Sequence, residues 1–168
     1  MSQPSQAEVL QSHTPTTHKP TEPSITSFSA DEYALVAIEP EDLGNVWSII
    51  EPLVLKTIDG MNGRHTMQSL LAEVMDHDLA LWAVVSQGKG MQALVGTQIA
   101  VSSSGLRSLV IRFTAGKGVH DWVYLLDQIE DYARSVGCQR VETWARKGWA
   151  KHMPDYKLTH VLLEKDLI

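Results

Sequence analysis

The feature of this sequence that most constrains its fold is a strand, helix, strand pattern over residues 106–145. Residues 106–113 form a β-prone apolar run, residues 121–136 are amphipathic with a helical period, and residues 139–145 alternate like a strand. When one helix connects two neighbouring strands of a sheet in this way, the strands are parallel and the crossover is right-handed. The pattern therefore predicts an α/β fold with a parallel pair of strands.

Two further strands precede this unit with little between them, at residues 79–85 and 91–101. The separators at residues 87–90 and 102–105 are rich in glycine and serine, which is typical of tight turns. An antiparallel meander of three strands is therefore predicted. Its last strand is also the first strand of the crossover unit.

The remaining elements lie before and after this core. They are a first strand at 32–38, a helix from Pro40, a helix after Thr66, a short helix at 147–153 and a last strand at 157–164. Together the elements predict an α/β fold with a central mixed sheet of about six strands, flanked by helices.

The chain has 168 residues, which fits one globular domain, and its first part differs in composition from the rest. Residues 1–30 are rich in serine, threonine and proline, so they cannot bury enough apolar surface to offset their ordering entropy. We predict a disordered N-terminal tail at residues 1–30 and one folded domain at residues 31–168. Such a tail is either unattached or a tether that orders on a protein partner.

Charge and cysteine content exclude several classes of protein. The net charge of −6 argues against binding nucleic acid through a global positive field, so no nucleic-acid partner is predicted. Cys138 is the only cysteine and the seven histidines have no recognised metal spacing, so neither an intramolecular disulfide nor a metal is predicted. The sequence has no apolar run of about 20 residues and no signal-like start. We therefore expect a soluble, cytoplasmic protein without a membrane partner.

The most informative segment for function is a glycine loop between the strand at 106–113 and the helix at 121–136. Its two glycines allow close backbone approach and positive φ, and amides at the start of a helix favour an anion. The loop therefore predicts a phosphate or pyrophosphate site, with a plain connecting turn as the alternative. The candidate cofactor-binding residues are Thr114, Ala115, Gly116, Lys117, Gly118 and Val119.

This element order with its glycine loop resembles the GNAT superfamily of acyl-CoA-dependent N-acetyltransferases over residues 32–167. The loop of that family reads Q/R-x-x-G-x-G/A and wraps the pyrophosphate of acetyl-CoA with its amides. Gly116 and Gly118 match the two small positions, whereas Phe113 replaces the polar first residue. The resemblance implies acetyl-CoA as a cofactor and an N-acetyltransferase activity.

The end of the chain also resembles small GNAT-like proteins of tailed bacteriophages, at residues 146–149, 155–157 and 162–167. Some of those proteins are encoded among virion genes. This second resemblance implies a virion component or a host-interaction factor. The virion is then the alternative to the cytoplasm as the location of the protein.

The catalytic residues that the GNAT resemblance implies are not all present. Family members use a base, often a carboxylate near the central strands, and an acid, often a tyrosine after the fourth helix. Residues 91–101 and 106–113 contain no Asp or Glu, and the tyrosine position falls near Lys151 or His152. The sequence thus departs from the family pattern at both positions.

Four residues remain as candidates for catalysis: His120, Glu142, His152 and Tyr156. His120 is predicted as the base, since a helix start lowers the proton affinity of a histidine, and Tyr156 as the acid. The alternatives are a His120 that caps the helix and a Tyr156 that packs at the end of a strand. Two functions follow: an acyl-CoA-binding N-acetyltransferase with a degenerate active site, or a non-catalytic structural or interaction protein of the same fold.

Trp144 is the aromatic residue that stands apart from the predicted core. In the strand at 139–145, Val141 and Thr143 share one face and Trp144 lies on the other. We therefore expect Trp144 to line a surface for a partner.

Overall fold

The structure of this chain is a computed structural model that describes residues 32–61 and 63–167. The predicted tail at residues 1–30 lies outside the described residues. Among those residues, no helix is both long and apolar enough to span a membrane.

Five strands form one mixed sheet in the described part of the chain, in the order β1-β2-β3-β4-β5. They are β1 Tyr33–Ile38, β2 Ala80–Ser86, β3 Gly90–Val101, β4 Arg107–Gly116 and β5 Arg140–Thr143. The first four strands are antiparallel neighbours, and β5 is parallel to β4. The predicted α/β fold is therefore confirmed, together with its meander and its crossover.

The helices cover both faces of the sheet. They are α1 Leu43–Gly60, α2 Met67–Met75, α3 Val119–Trp122 and α4 Leu126–Ser135. Pro40 opens a short 3-10 turn before α1, as expected of proline at a helix start. Thr66 caps α2, since its hydroxyl accepts from the Ser69 amide at 3.1 Å. A further 3-10 turn, Lys147–Lys151, follows β5.

Two apolar clusters hold the layers together, one on each face of the sheet. Ile50 and Val54 of α1 pack with Leu94 of β3 on one face. Trp122 and Ile129 pack on the other face, against strand residues that alternate with Leu94. All five side chains are at most 1% exposed. The sheet is thus the middle layer of a three-layer domain.

The segment predicted as one helix at residues 121–136 is divided in two. Trp122 ends α3 with a φ of −133°, a 3-10 turn covers Val123–Leu125, and α4 then continues. The indole Nε1 of Trp122 donates to the carbonyl of Lys117 at 2.8 Å. The tryptophan is thus bonded to the loop in front of the helix, and the backbone leaves helical geometry at this residue.

The predicted last strand, residues 157–164, is not formed. Residues 157–167 are neither helix nor strand, and each of them is exposed. Their β-prone sequence is a local preference, whereas a strand also needs a partner, and none of the described strands pairs with them. The sheet therefore has five strands rather than about six.

Candidate functional site

The parallel strands β4 and β5 pair over a short distance only. Their register runs from Ser108 opposite Arg140 to Ile111 opposite Thr143. β4 continues beyond this point to Gly116, still paired with β3 on its other side. Within the described residues, the last part of β4 therefore has no strand beside it on the β5 side. This opening leads to the glycine loop.

Thr114 and Ala115, the first two predicted cofactor-binding residues, lie in this last part of β4. They are opposite Val95 and Leu94 of β3. Ala115 is buried and Thr114 is partly buried. Any contact of these residues with a ligand would be made along the side of β4 that faces the opening.

A register shift in β4 determines which of its side chains enter the core. Ile111 lies opposite Thr97, whereas Phe113 lies opposite Gly96. Arg112 is therefore an extra residue in the ladder, as in a β-bulge. The ring of Phe113 covers Gly96, where a Cβ would come within 2.5 Å of the ring carbon Cζ. The bulge thus places Phe113 in the core and frees Arg112 for polar contacts.

The first half of the glycine loop is bonded to the fold on both sides. The amide of Lys117 donates to the carbonyl of Gln92 at 3.0 Å, and the Lys117 carbonyl accepts from Trp122. A Cβ at Gly116 would lie 2.5 Å from the Cα of Ala93. Gly116 is therefore required by the close approach of β3, and the Lys117 amide is not available to a ligand.

The second half of the loop has free amides. Gly118 has φ 66° and ψ 34°, the left-handed conformation that favours glycine. Within the described residues, the backbone amides of Gly118, Val119 and His120 have no hydrogen-bond acceptor. Consecutive free amides of this kind bind anions. The contribution of a helix dipole is smaller than the sequence implied, because α3 has only four residues.

A carboxylate lies beside these amides. Oδ2 of Asp121 is 3.3 Å from the place where a Cβ at Gly118 would be. It accepts a hydrogen bond of 3.4 Å from the hydroxyl of Tyr33, which in turn accepts from Lys89 Nζ at 3.2 Å. The negative charge of Asp121 opposes an incoming anion. Binding of an anion therefore depends on the amides and on nearby lysines.

A cavity of about 340 Å³ adjoins the loop on the α1 side. Its lining combines apolar residues with two lysines, Lys56 from α1 and Lys117 from the loop. The lining residues are Ile49, Pro52, Leu53, Lys56, Met91, Gln92, Gly116 and Lys117. Such a wall suits an elongated ligand that is anionic at one end and apolar at the other.

His120, the predicted base, is exposed at the exit of the loop. Its ring centroid is 4.4 Å from that of His152, edge to face, and His152 in turn lies 6.2 Å from Trp149. Burial lowers the pKa of His152, and positive charge on His120 and Lys151 lowers it further. The two histidines thus lie together beside the loop.

Tyr156, the predicted acid, lies against α4. Its hydroxyl donates to Oε1 of Glu130 at 2.9 Å, and Arg134 binds the other oxygen of Glu130 at 3.2 Å. Burial raises the pKa of Tyr156, and the hydrogen bond to Glu130 raises it further. The hydroxyl is thus engaged in a tether between α4 and the end of the chain, and it is not part of the cavity wall.

Glu142, another candidate from the sequence, lies on β5. Its Oε1 accepts from the hydroxyl of Ser108 at 2.8 Å and lies 3.6 Å from the guanidinium of Arg140. These contacts connect β5 to the start of β4. Glu142 itself lies opposite Val110, one pair before the end of the ladder that is nearer to the glycine loop, but its carboxylate is bonded to Ser108 and Arg140.

A polar network that the sequence analysis missed surrounds Arg112. Its guanidinium donates to Oε2 of Glu73 at 3.1 Å, to Gln98 at 2.7 Å and to Nε2 of His65 at 2.8 Å. Because a guanidinium only donates, Nε2 of His65 accepts, and the proton of the neutral ring is on Nδ1. That Nδ1 lies 3.4 Å from Oε1 of Glu73.

Glu73 brings a carboxylate to β4 even though the strand itself has none. It comes from α2, which docks on the sheet, so its arrival at β4 depends on tertiary structure. The signal in the sequence was Arg112 itself, the only charged residue in the stretch 108–116. A lone arginine in a buried strand requires an acceptor from elsewhere in the fold.

No group of three or more His, Cys, Asp or Glu residues that could hold a metal ion occurs in the described part of the chain.

Comparison with known proteins identifies the fold. No family model matches this sequence, and no curated protein matches it. An aminoglycoside acetyltransferase from an uncultured soil metagenomic sample matches with a TM-score of 0.58 and 10% identity, over 81% of this chain and 97% of that one. The ribosomal-protein-alanine N-acetyltransferase of Brucella melitensis biovar Abortus 2308 matches with a TM-score of 0.54 and 12% identity, over 82% and 98%. An acetyltransferase of Trypanosoma brucei matches with a TM-score of 0.55 and 15% identity, over 81% and 100%.

At these identities the likeness shows the fold alone. The chain has the GNAT fold of acetyltransferases, as the order of its elements and its glycine loop predicted.

Proposed function

We propose that this GNAT-fold chain binds an acyl-CoA, in the first instance acetyl-CoA, and is an N-acetyltransferase with a degenerate catalytic site. The observation that carries the proposal is the group of free amides at residues 118–120, next to a cavity with two lysines. Lys117 connects the two, since it lines the cavity and directly precedes the first of these amides. An anion site and an apolar site thus adjoin each other at one end of the sheet.

The described residues fit the two parts of such a cofactor. The amides of Gly118, Val119 and His120 would hold a diphosphate, with the ammonium groups of Lys117 and Lys56 offsetting its charge. The apolar part of the cavity wall would take the arm of the cofactor. When bound, acetyl-CoA would supply an acetyl group activated as a thioester.

His120 is proposed as the base, because it is exposed beside the anion site and its ring contacts that of His152. The hydroxyl of Tyr156, the acid predicted from the sequence, is donated to Glu130. It would have to leave Glu130 before it could donate its proton to a leaving thiolate. This engagement supports the proposal that the catalytic site is degenerate, with rate enhancement mainly from positioning.

Calorimetric titration with acetyl-CoA tests the binding proposal. Gly118→Asp adds a negative charge at the free amides, whereas Gly105→Asp changes another left-handed glycine that has no atom within 4 Å. We expect binding to the unmodified chain and to the Gly105 variant and no binding to the Gly118 variant. An unmodified chain that gives no heat with millimolar acetyl-CoA would contradict the proposal.

Release of free CoA in the presence of amines tests turnover. We expect slow release that His120→Ala reduces further and that Tyr156→Phe leaves nearly unchanged, because the phenol is bound to Glu130. A strong loss of rate in Tyr156→Phe, with unchanged acetyl-CoA binding, would show that the tyrosine acts as the acid and that the site is not degenerate.

A second candidate is a non-catalytic structural or interaction protein of a tailed bacteriophage. The occupied hydroxyl of Tyr156 and the exposed aliphatic side chains near the end of the chain favour it. In that case the tail at residues 1–30 would be the tether to a protein partner, and the protein would be found in the virion instead of the cytoplasm. Mass spectrometry of purified virions and of pull-downs distinguishes the two candidate functions. A structural or interaction protein should be found in these samples, whereas an acyltransferase need not be.

A further inference from the structure

Exposed aliphatic side chains are concentrated in one short segment, residues 157–167, which we call the terminal segment. Leu158, Val161 and Leu162 are 65–73% exposed, and Leu163 and Leu167 are 88–89% exposed. Contiguous exposed leucines of this kind are rare on monomers and mark an interaction surface. Within the described residues, the terminal segment is therefore the strongest candidate for an interaction surface.

The sheet offers an unpaired edge at β5. This strand pairs with β4 on one side, and no described strand lies on its other side. The edge thus presents a row of backbone amides and carbonyls that can pair with another strand. Trp144, the residue directly after β5, is 76% exposed. The edge and its tryptophan form a surface that an apolar strand would fit.

The terminal segment does not pair with β5 of its own chain. At its start, Tyr156 is held by Glu130 of α4, and near its end Glu164 forms an ion pair with Arg64, between α1 and α2. Between these two contacts its residues form no strand and remain exposed. The same residues include the β-prone stretch 157–164, which the sequence predicts as a strand.

We propose that the terminal segment of one copy of this chain adds as a sixth strand to the β5 edge of a second copy, and reciprocally. Each chain has one β5 edge and one terminal segment, so two copies can pair reciprocally at these two places, and a two-fold axis closes the assembly. The exchange pairs the β5 edge and covers Trp144 and the leucines. It also accounts for the sixth strand that the sequence predicts and the single chain lacks.

Cysteine cross-linking between two differently labelled preparations of the chain, which we call pools, tests the strand exchange. In a Cys138→Ser background, which removes the only native thiol, one pool carries Thr143→Cys on β5 and the other carries Leu162→Cys or Leu163→Cys. After mixing and oxidation with diamide, we expect disulfide-linked dimers that contain one chain of each pool. A pool with Val101→Cys, a comparably exposed apolar position at the end of β3, should form no such product with the β5 pool.

The outcomes separate the possible arrangements. A chain that carries both cysteines and yields only an internal disulfide of monomer mobility would overturn the proposal, because the segment would then pair with its own β5. Absence of any product with both Leu162→Cys and Leu163→Cys would also overturn it.

Sedimentation equilibrium of the full chain provides an independent measurement. We expect a mass of twice the 18.6 kDa of one chain at micromolar concentration. Proline cannot donate to a ladder, so either Leu162→Pro or Leu163→Pro, whichever amide faces β5, should weaken dimerisation by about tenfold or more. Val101→Asp should leave the dimer unchanged. A monomer at all concentrations, or a dimer that tolerates both prolines, would refute strand exchange.

Discussion

Replacement of Gly116 by alanine tests the packing that shapes the glycine loop. The new Cβ would meet the carbonyl oxygen of Gln92 and would lie 2.5 Å from both the Cα and the Cβ of Ala93. These are mainly backbone atoms of a paired strand, so they cannot move aside as the end of a flexible side chain would. β3 and β4 must therefore separate locally.

The cost follows from this overlap. Overpacking of a well-packed site destabilises by about 1–3 kcal/mol. For a domain of this size, each 1 kcal/mol lowers the melting temperature by roughly 2–4 °C. We therefore expect Gly116→Ala to melt about 2–12 °C below the unmodified chain, in the absence of any ligand.

Gly44→Ala is the matched control with the opposite sign. Gly44 lies in α1, and a Cβ there would have no atom within 4 Å. Alanine in a helix is favoured over glycine by about 0.5–1 kcal/mol, so this variant should be more stable than the unmodified chain. Thermal unfolding followed by circular dichroism measures both. A Gly116→Ala chain as stable as the unmodified one would refute the close approach of β3 to the loop.

Three further predictions concern polar contacts. Arg112→Ala should lower the free energy of unfolding in urea by about 1–3 kcal/mol, because it leaves Glu73 and Gln98 without this partner. The side chain of Arg134 is 67% exposed, so Arg134→Ala should lower it by about 1 kcal/mol or less, and equal losses in the two variants would contradict the network around Arg112. The raised pKa of Tyr156 means that the folded state keeps a proton that the unfolded state loses at high pH, so this contribution is complete below about pH 10 and is lost as the pH rises further. The stability advantage of the unmodified chain over Tyr156→Phe should therefore shrink above about pH 10, and a constant difference would argue against the Glu130 bond. By NMR, the ring of His152 should titrate below the ordinary pKa of histidine, and His120→Ala should raise its midpoint; an unchanged midpoint would contradict the contact between the two rings.

The meander and the crossover could be predicted because local sequence determines them. The turns at residues 87–90 and 102–105 fix which strands are neighbours, and the helical period of residues 121–136 fixes a crossover. The last strand could not be predicted in the same way, since its sequence gives β preference but no partner.

The place of the glycine loop in the fold was predictable, whereas its hydrogen bonds were not. The glycine pattern identified the loop, but which amides are free depends on the register with β3, where Gln92 takes up the amide of Lys117. The contacts of Arg112 depend on how α2 docks, which places Glu73 beside β4. The place of Tyr156 in the chain predicts an acid, and only the packing of α4 shows that its hydroxyl donates a hydrogen bond to Glu130.

The bond from the Trp122 indole to the carbonyl of Lys117 has a consequence for recognition. Trp122 is a fully enclosed part of the hydrophobic interior, so the loop takes its shape when the protein folds and holds that shape in solution. A receptor that is already rigid loses little conformational entropy when it captures its target. Binding of the proposed cofactor at this loop should therefore leave the backbone where it was, and selectivity should come from the fit of the incoming molecule.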